Sequence, residues 1–290
     1  MRSFAIFLGL IALGLAGIAV FGYPAWELTQ SLGFDFKFHR VASRIAMLTL
    51  LIGFVLVARR LKVADKASLG YGLPRREFLV QLARGIVLGV LLMLPVLATM
   101  VLLDMRELRP GVAPGTLGWA KLALTGLVTG LVVAFIEETF LRGAMMTAIS
   151  RESGTVRAIV LTSLVYAATH FIGRYKDSES IGWGSGLDML AGTFASFAHP
   201  GGILDAFLCL AGVGVLLGLV RARTGHIAAC IGLHAGWVAV ISVVRETSER
   251  NPTGPATWLL SDYDGFIGWM VLGWIVVIGF ILARIYRPRG

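Results

Sequence analysis

Three short groups of ionisable side chains interrupt long apolar stretches of this sequence. The first contains Glu137, Glu138 and Arg142, and the other two are the single histidines His170 and His234. Ionisable groups within membrane helices are costly and rare, so each is a candidate functional residue. Carboxylates and imidazoles can transfer protons as general acids and bases, and they can also bind metal ions. The sequence therefore points to hydrolytic or proton-transfer chemistry inside a membrane.

Helical spacing separates the roles of the two glutamates. Glu138 and Arg142 are four residues apart and share a helix face. Glu137 and Arg142 are five residues apart and point in different directions. We expect Arg142 to neutralise Glu138 and to leave Glu137 without a local partner, as a candidate general base or acid. The alternative is a buried ion-pair network that only fixes helix packing.

His170 is predicted to reach the depth of Glu137. The polar segment 151–154 forms a turn, and the two residues lie about 15 and 17 positions from its centre, some 23–26 Å at about 1.5 Å per residue. In an antiparallel helical hairpin a carboxylate and an imidazole at one depth can hold a water molecule between them. His170 could instead be an ordinary packing residue.

His234 extends this pair to a Glu/His/His set on three helices. Such a set can either bind a metal ion or activate a water molecule without a metal ion. The remaining histidines, His39, His199 and His226, fall in loops or at helix ends, where we expect surface or interfacial positions.

Composition identifies the scaffold that must position these residues. The 290-residue chain is 57% hydrophobic and 15% charged, whereas soluble domains are about 45–50% apolar and about 25% charged. The mean hydropathy is +0.80. These values exclude a soluble enzyme and a disordered chain. The two cysteines lie within apolar segments and predict neither a disulfide framework nor a metal site.

Apolar runs predict an all-α polytopic membrane protein with about eight transmembrane helices in one integral membrane domain, residues 1–290. Its motif-bearing core is 118–244. Each run is long enough to span a bilayer, and the runs lie at 4–22, 42–58, 84–103, 118–148, 156–172, 202–220, 226–244 and 264–284. The first run could also be a signal peptide, but no clean cleavage site follows it. Two Gly-x-x-x-Gly motifs, 126–130 and 214–218, suit close helix packing.

The loops give an expected orientation. The net charge is +9, and the basic residues lie between apolar runs, so a topology signal explains them better than nucleic-acid binding does. We expect both termini in the cytoplasm. In that orientation, 15 of the 26 Lys and Arg residues lie on the cytoplasmic side and 10 on the other side, and Arg142 lies within a helix. We expect the chain in a membrane, with a bacterial inner membrane as the predicted location. The loop 59–83 is predicted to be an interfacial connection. The segment 173–201 is predicted to be a plain outer loop or, alternatively, a re-entrant or surface amphipathic segment.

These motifs resemble those of the CAAX protease and bacteriocin-processing family of intramembrane endopeptidases. The resemblance rests on Glu-Glu-x-x-x-Arg at 137–142, on an aromatic residue four positions before His170, and on His234. It implies that Glu137 and His170 activate the attacking water, that Glu138 and Arg142 position the site, and that His234 stabilises the oxyanion. The implied substrate is a membrane-associated protein or peptide.

The resemblance leaves the cofactor open, with no cofactor expected and zinc as the other possibility. The His-Glu-x-x-His zinc signature is absent from the sequence. The third motif of the family usually places an Asn four residues after its histidine, where this chain has Val238, which cannot donate a hydrogen bond. Loss of one oxyanion donor can cost about 10²–10³ in rate.

Other functions compete with an endopeptidase. A non-catalytic member of the same family, acting as a scaffold or immunity protein, is supported by Val238. A proton-coupled transporter could use the two glutamates as a relay, but it would predict inverted repeats or broken helices. A rhomboid-like serine protease has only Ser185 as a nucleophile, in a loop, and a presenilin-like aspartyl protease has only Asp264.

Overall fold

A computed structural model describes residues 1–112, 114–172 and 180–286 of the chain. Within this part, the only extended elements are two three-residue strands, β1 (Arg106–Leu108) and β2 (Ser248–Arg250), which pair antiparallel. The helices are α1 Arg2–Ser31, α2 Phe38–Arg60, α3 Arg75–Leu102, α4 Thr116–Glu138, α5 Met146–Ser153, α6 Thr155–His170, α7 Ser185–Phe194, α8 Leu204–Thr224, α9 Ala228–Thr247 and α10 Trp269–Ile285. The predicted all-α class is confirmed.

The polytopic architecture is also confirmed. Six segments are long and apolar enough to cross a membrane: α1, α2, α3, α8, α9 and the continuous unit Thr116–Ser153 that contains α4 and α5. The helices α6 and α10 are shorter, with 16 and 17 residues. Each of the eight predicted apolar runs therefore contains a helix.

Several helix ends differ from the prediction because hydropathy stops where a helix leaves the bilayer, whereas the helix itself continues. Helix α1 runs through Pro24 to Ser31, nine residues past the predicted end. Helix α3 begins at Arg75 instead of 84, so its first turns carry basic side chains. The connection before it is consequently only 61–74, shorter than the predicted 59–83.

The segment 173–201 is not a plain loop. It contains α7, whose Gly186 lies so close to α1 that a Cβ atom there would be 2.7 Å from the carbonyl oxygen of Ile18. Met189 of α7 is buried against the same helix pair, α1 and α2. Residues 185–194 therefore form a packed helix, and whether it is re-entrant or lies at the membrane surface stays a prediction. The structure does not describe residues 113, 173–179 and 287–290. Four basic residues of the charge count lie there: Arg174, Lys176, Arg287 and Arg289. The orientation of the chain therefore stays a prediction.

Helix α9 lies between α3 and α4 and packs closely against both. A Cβ atom at Gly232 would lie 2.3 Å from a carbonyl oxygen of α3, and one at Gly130 of α4 would lie 2.6 Å from the carbonyl oxygen of Ala235. Small residues let helix backbones approach in this way. The close packing predicted for 126–130 is thus confirmed, and it fixes α9, the helix that carries His234, against the helix that carries the two glutamates.

Candidate active site

The glutamate pair ends α4, where the helix changes its winding. Residues Thr139–Met145 form a π-helical turn between α4 and α5. A uniform helix was expected here, because no residue in the segment breaks a helix. Such π-helical turns are rare and are found mostly at functional sites. In this chain the turn contains Arg142, which is fully buried together with Glu138.

Arg142 forms the predicted ion pair with Glu138. Its Nη1 donates to Glu138 Oε1 over 2.9 Å, and neither side chain has solvent-exposed area. The guanidinium also donates from Nη2 to the carbonyl oxygen of Gly214 on α8, over 3.3 Å. Its Cζ lies 4.7 Å from the ring centroid of Tyr166 on α6. Arg142 therefore ties the end of α4 to two neighbouring helices.

His234 connects the two glutamates. Its Nδ1 lies 2.9 Å from Glu138 Oε1, and its Nε2 lies 3.9 Å from Glu137 Oε2. A carboxylate only accepts hydrogen bonds, so the contact with ionised Glu138 requires the proton on Nδ1. This contact fixes the ring and directs Nε2 toward Glu137. Four of the five predicted site residues, Glu137, Glu138, Arg142 and His234, thus form one cluster.

Glu137 is the most accessible member of this cluster. Its side chain is 31% exposed, against 4% for His234 and none for Glu138. The 3.9 Å separation from His234 is too long for a direct hydrogen bond, and Glu137 Oε2 has no hydrogen-bond partner among the described residues. The arrangement leaves a carboxylate oxygen and an imidazole nitrogen close to each other without a direct hydrogen bond between them.

His170 joins the site through its contacts with Tyr166. His170 Nδ1 lies 2.8 Å from the carbonyl oxygen of Tyr166, which makes Nδ1 the protonated nitrogen and leaves a lone pair on Nε2. The Tyr166 ring has its centroid 4.5 Å from that of His170 and 6.0 Å from that of His234. The two imidazoles therefore flank one tyrosine.

The predicted hairpin register is supported by the contact between Arg142 and Tyr166. These residues lie equal numbers of positions before and after Gly154, which makes the turn between α5 and α6 with a φ of +87°. Glu137 and His170 are also nearly equidistant from this glycine. That they hold a water between them remains a prediction.

The loop 61–74 lies against the π-helical turn. Tyr71 donates its hydroxyl to Thr139 Oγ1 over 2.6 Å, because Thr139 gives its own proton to the carbonyl oxygen of Phe135. Burial raises the pKa of the Tyr71 hydroxyl, so it stays a neutral donor at physiological pH. Arg221 of α8 donates to the carbonyl oxygen of Arg142 and so supports the same turn.

Sequence reasoning missed two features around the cluster. Tyr166 was identified only as part of a motif, although its four-residue spacing from His170 was a signal for a shared site. Tyr71 gave no signal, because it comes from a distant loop. His226 lies in the connection between α8 and α9, as expected, but it is only 9% exposed, so the expectation of a surface position was wrong.

The geometry of the cluster does not fit a zinc ion. Glu138 Oε1 is within hydrogen-bond distance of His234 Nδ1, and the same carboxylate forms an ion pair with the Arg142 guanidinium. No group of three or more His, Cys, Asp or Glu side chains in the described part of the chain is arranged to hold a metal ion. Cys209 and Cys230 are both buried free thiols.

The fold and the cluster define an all-α integral membrane protein with a buried carboxylate–histidine site. Residues 119–240 match a family model described as "Rce1-like: Type II CAAX prenyl endopeptidase Rce1-like". This match confirms the resemblance to the CAAX protease family over the segment that carries all five candidate residues. Searches of curated proteins and of solved structures each found no match.

Proposed function

We propose that this protein is an intramembrane endopeptidase that hydrolyses a peptide bond of a membrane-associated protein or peptide with water activated by Glu137. The observation that carries the proposal is the approach of Glu137 Oε2 to His234 Nε2, two atoms that lie 3.9 Å apart. We place the attacking water beside these two atoms. The match over 119–240 to a family of CAAX prenyl endopeptidases supports the same activity and suggests prenylated CAAX substrates.

The chemistry follows from the positions of the proton-carrying groups. A water beside Glu137 Oε2 and His234 Nε2 gives a proton to Glu137 while the water oxygen bonds to the carbonyl carbon of the substrate. The carbonyl π electrons move to the oxygen and form an oxyanion, and on collapse the C–N bond breaks and Glu137 returns the proton to the leaving amine. His234 stabilises the oxyanion from Nε2 when its ring carries both protons.

The other residues of the cluster hold this geometry. Glu138 fixes the orientation of His234, and Arg142 neutralises Glu138 without approaching Glu137 as a partner. His170, with its Nε2 lone pair, accepts a hydrogen bond from the second proton of the water and so orients it. No step requires a metal ion.

The test is a cleavage assay in detergent with a library of membrane-anchored peptides, prenylated and unprenylated. Products are identified by mass spectrometry for the wild type, Glu137→Gln and His170→Ala, each with and without a zinc chelator. Glu107→Gln, a change of an exposed glutamate on β1, is the matched control. Cleavage that is lost in the two site variants and survives the chelator supports the proposal. Equal cleavage by the wild type and both site variants would refute it.

A further inference from the structure

Trp237 carries a buried hydrogen-bond donor that has no acceptor in the described part of the chain. It lies on α9, three residues after His234, and only 6% of its surface is exposed. Its indole Nε1–H has no hydrogen-bond partner among the residues that the structure describes. An indole nitrogen can only donate, and a buried unpaired donor destabilises a fold. A native donor in this state calls for a functional explanation.

The packing of α9 places this donor on the helix face of His234. Gly232 lies against α3 and Ala235 lies against α4, so neighbouring backbones cover the side of the helix that carries these two residues. The opposite side carries Cys230, whose Sγ lies 3.4 Å from the carbonyl oxygen of Leu217 on α8. At about 100° per residue, His234 and Trp237 share this opposite side with Cys230.

We propose that Trp237 Nε1–H is a catalytic hydrogen-bond donor, which together with His234 stabilises the oxyanion of the tetrahedral intermediate. The inference rests on the proposed function. The oxyanion is the former carbonyl oxygen of the substrate, which gains the π electron pair when the water oxygen bonds to the carbonyl carbon and Glu137 takes the water proton. The neighbouring Val238 offers no donor, so the indole is the donor that α9 supplies beside His234.

The test compares two ways of removing the N–H while keeping a ring. Trp237→Phe keeps an aromatic ring, and replacement of Trp237 by benzothienylalanine keeps the bicyclic shape and exchanges N–H for sulfur. Trp274→Phe is the control. It removes an indole N–H of α10 that donates to Thr99 Oγ1 of α3, away from the cluster. All variants are assayed for kcat and KM on a peptide that the wild type cleaves.

We expect both Trp237 replacements to lower kcat by about 10²-fold, with KM within twofold of the wild type and with Trp274→Phe unchanged. The Ki of a phosphinate analogue of the cleaved peptide, which carries a tetrahedral oxyanion, should rise by a similar factor. A kcat within threefold of the wild type for the benzothienylalanine variant would overturn the inference, even if Trp237→Phe fails to fold. If cleavage depends on Glu137 but not on the indole N–H, only this inference fails. If it depends on neither, the proposed function fails as well.

Discussion

His234 Nδ1 lies 2.9 Å from Glu138 Oε1, and this contact joins α9 to the end of α4 at the centre of the protein. The same carboxylate oxygen accepts from Arg142 Nη1. A single buried oxygen therefore fixes both a cation and an imidazole ring. The consequence for function is that His234 Nε2 has a defined direction, toward Glu137, before any substrate binds.

Glu138→Gln should strongly destabilise the protein, because it leaves the Arg142 guanidinium buried without its counter-charge. Breaking a buried ion pair by removing one partner costs about 3–5 kcal/mol. The measurement is thermal and denaturant unfolding in detergent. Glu249→Gln is the control, since the Arg109–Glu249 pair is 4.0 Å apart and about half exposed, and exposed pairs contribute about 0–1 kcal/mol. Equal losses in the two variants would contradict the structural role of the buried pair.

Gly232→Ala should disturb the helix contact that positions His234. The added Cβ would lie 2.3 Å from a carbonyl oxygen of α3, so the helices must separate. We expect a loss of about 1–3 kcal/mol in the free energy of unfolding, as for overpacked cores. Gly273→Ala in α10 is the matched control: no described atom lies within 4 Å of its added Cβ. There alanine should stabilise the helix by about 0.5–1 kcal/mol. A control that is as destabilising as the test variant would argue against close packing of α3 and α9.

The stability of the protein should fall as the pH decreases below about 6.5, in part through His226. Burial and the nearby Arg221 lower the pKa of His226 in the folded state. The unfolded chain therefore binds more protons at this site, so its contribution to stability is complete above the ordinary pKa of about 6.5 and is lost as the pH falls through the folded value. His226→Gln should flatten the dependence of Tm on pH between about pH 6.5 and 5.

The exposed His199 provides the comparison for this titration, because its replacement by Gln removes a histidine without removing a buried group. We expect the pH dependence of Tm in that variant to match the wild type. A flattened profile in the His199 variant, or an unchanged profile in the His226 variant, would assign the acid sensitivity to other groups.

The sequence was sufficient to predict the all-α class, the eight helical segments and the pairing of Glu138 with Arg142. Hydropathy and the spacing of residues along one helix determine these features, and neither depends on tertiary structure. The ends of α1 and α3 were placed wrongly because these helices continue beyond their apolar segments. The buried position of His226 also depends on which loops cover it.

Contacts between distant segments were beyond the reach of the sequence. His234 was predicted to join Glu137, but its hydrogen bond with Glu138 depends on how α9 packs against α4. The bond between Tyr71 and Thr139 joins residues 68 positions apart. The π-helical turn at Thr139–Met145 could not be predicted either, since all of its residues are compatible with an α-helix. The unpaired indole of Trp237 became visible only when its surroundings were known.

Removal of metal ions should leave the activity intact. Glu138 is paired with both Arg142 and His234, and no group of three or more His, Cys, Asp or Glu side chains among the described residues is arranged to hold a metal ion. Protein purified in chelator and assayed by mass spectrometry should cleave its peptide at the rate of untreated protein. Loss of activity that added zinc restores would show that Glu137, His170 or His234 serve as metal ligands instead.

The central claim is that Glu137 takes the proton from the attacking water. The most direct test is the single-turnover rate of Glu137→Gln on a peptide that the wild type cleaves, in H₂¹⁸O, with Glu107→Gln as the folded control. Loss of a general base should lower the rate by about 10²–10⁴-fold, while the wild type and the control each place one ¹⁸O atom in the new carboxylate. A Glu137→Gln protein that keeps the wild-type Tm and cleaves at the rate of the control would contradict the account.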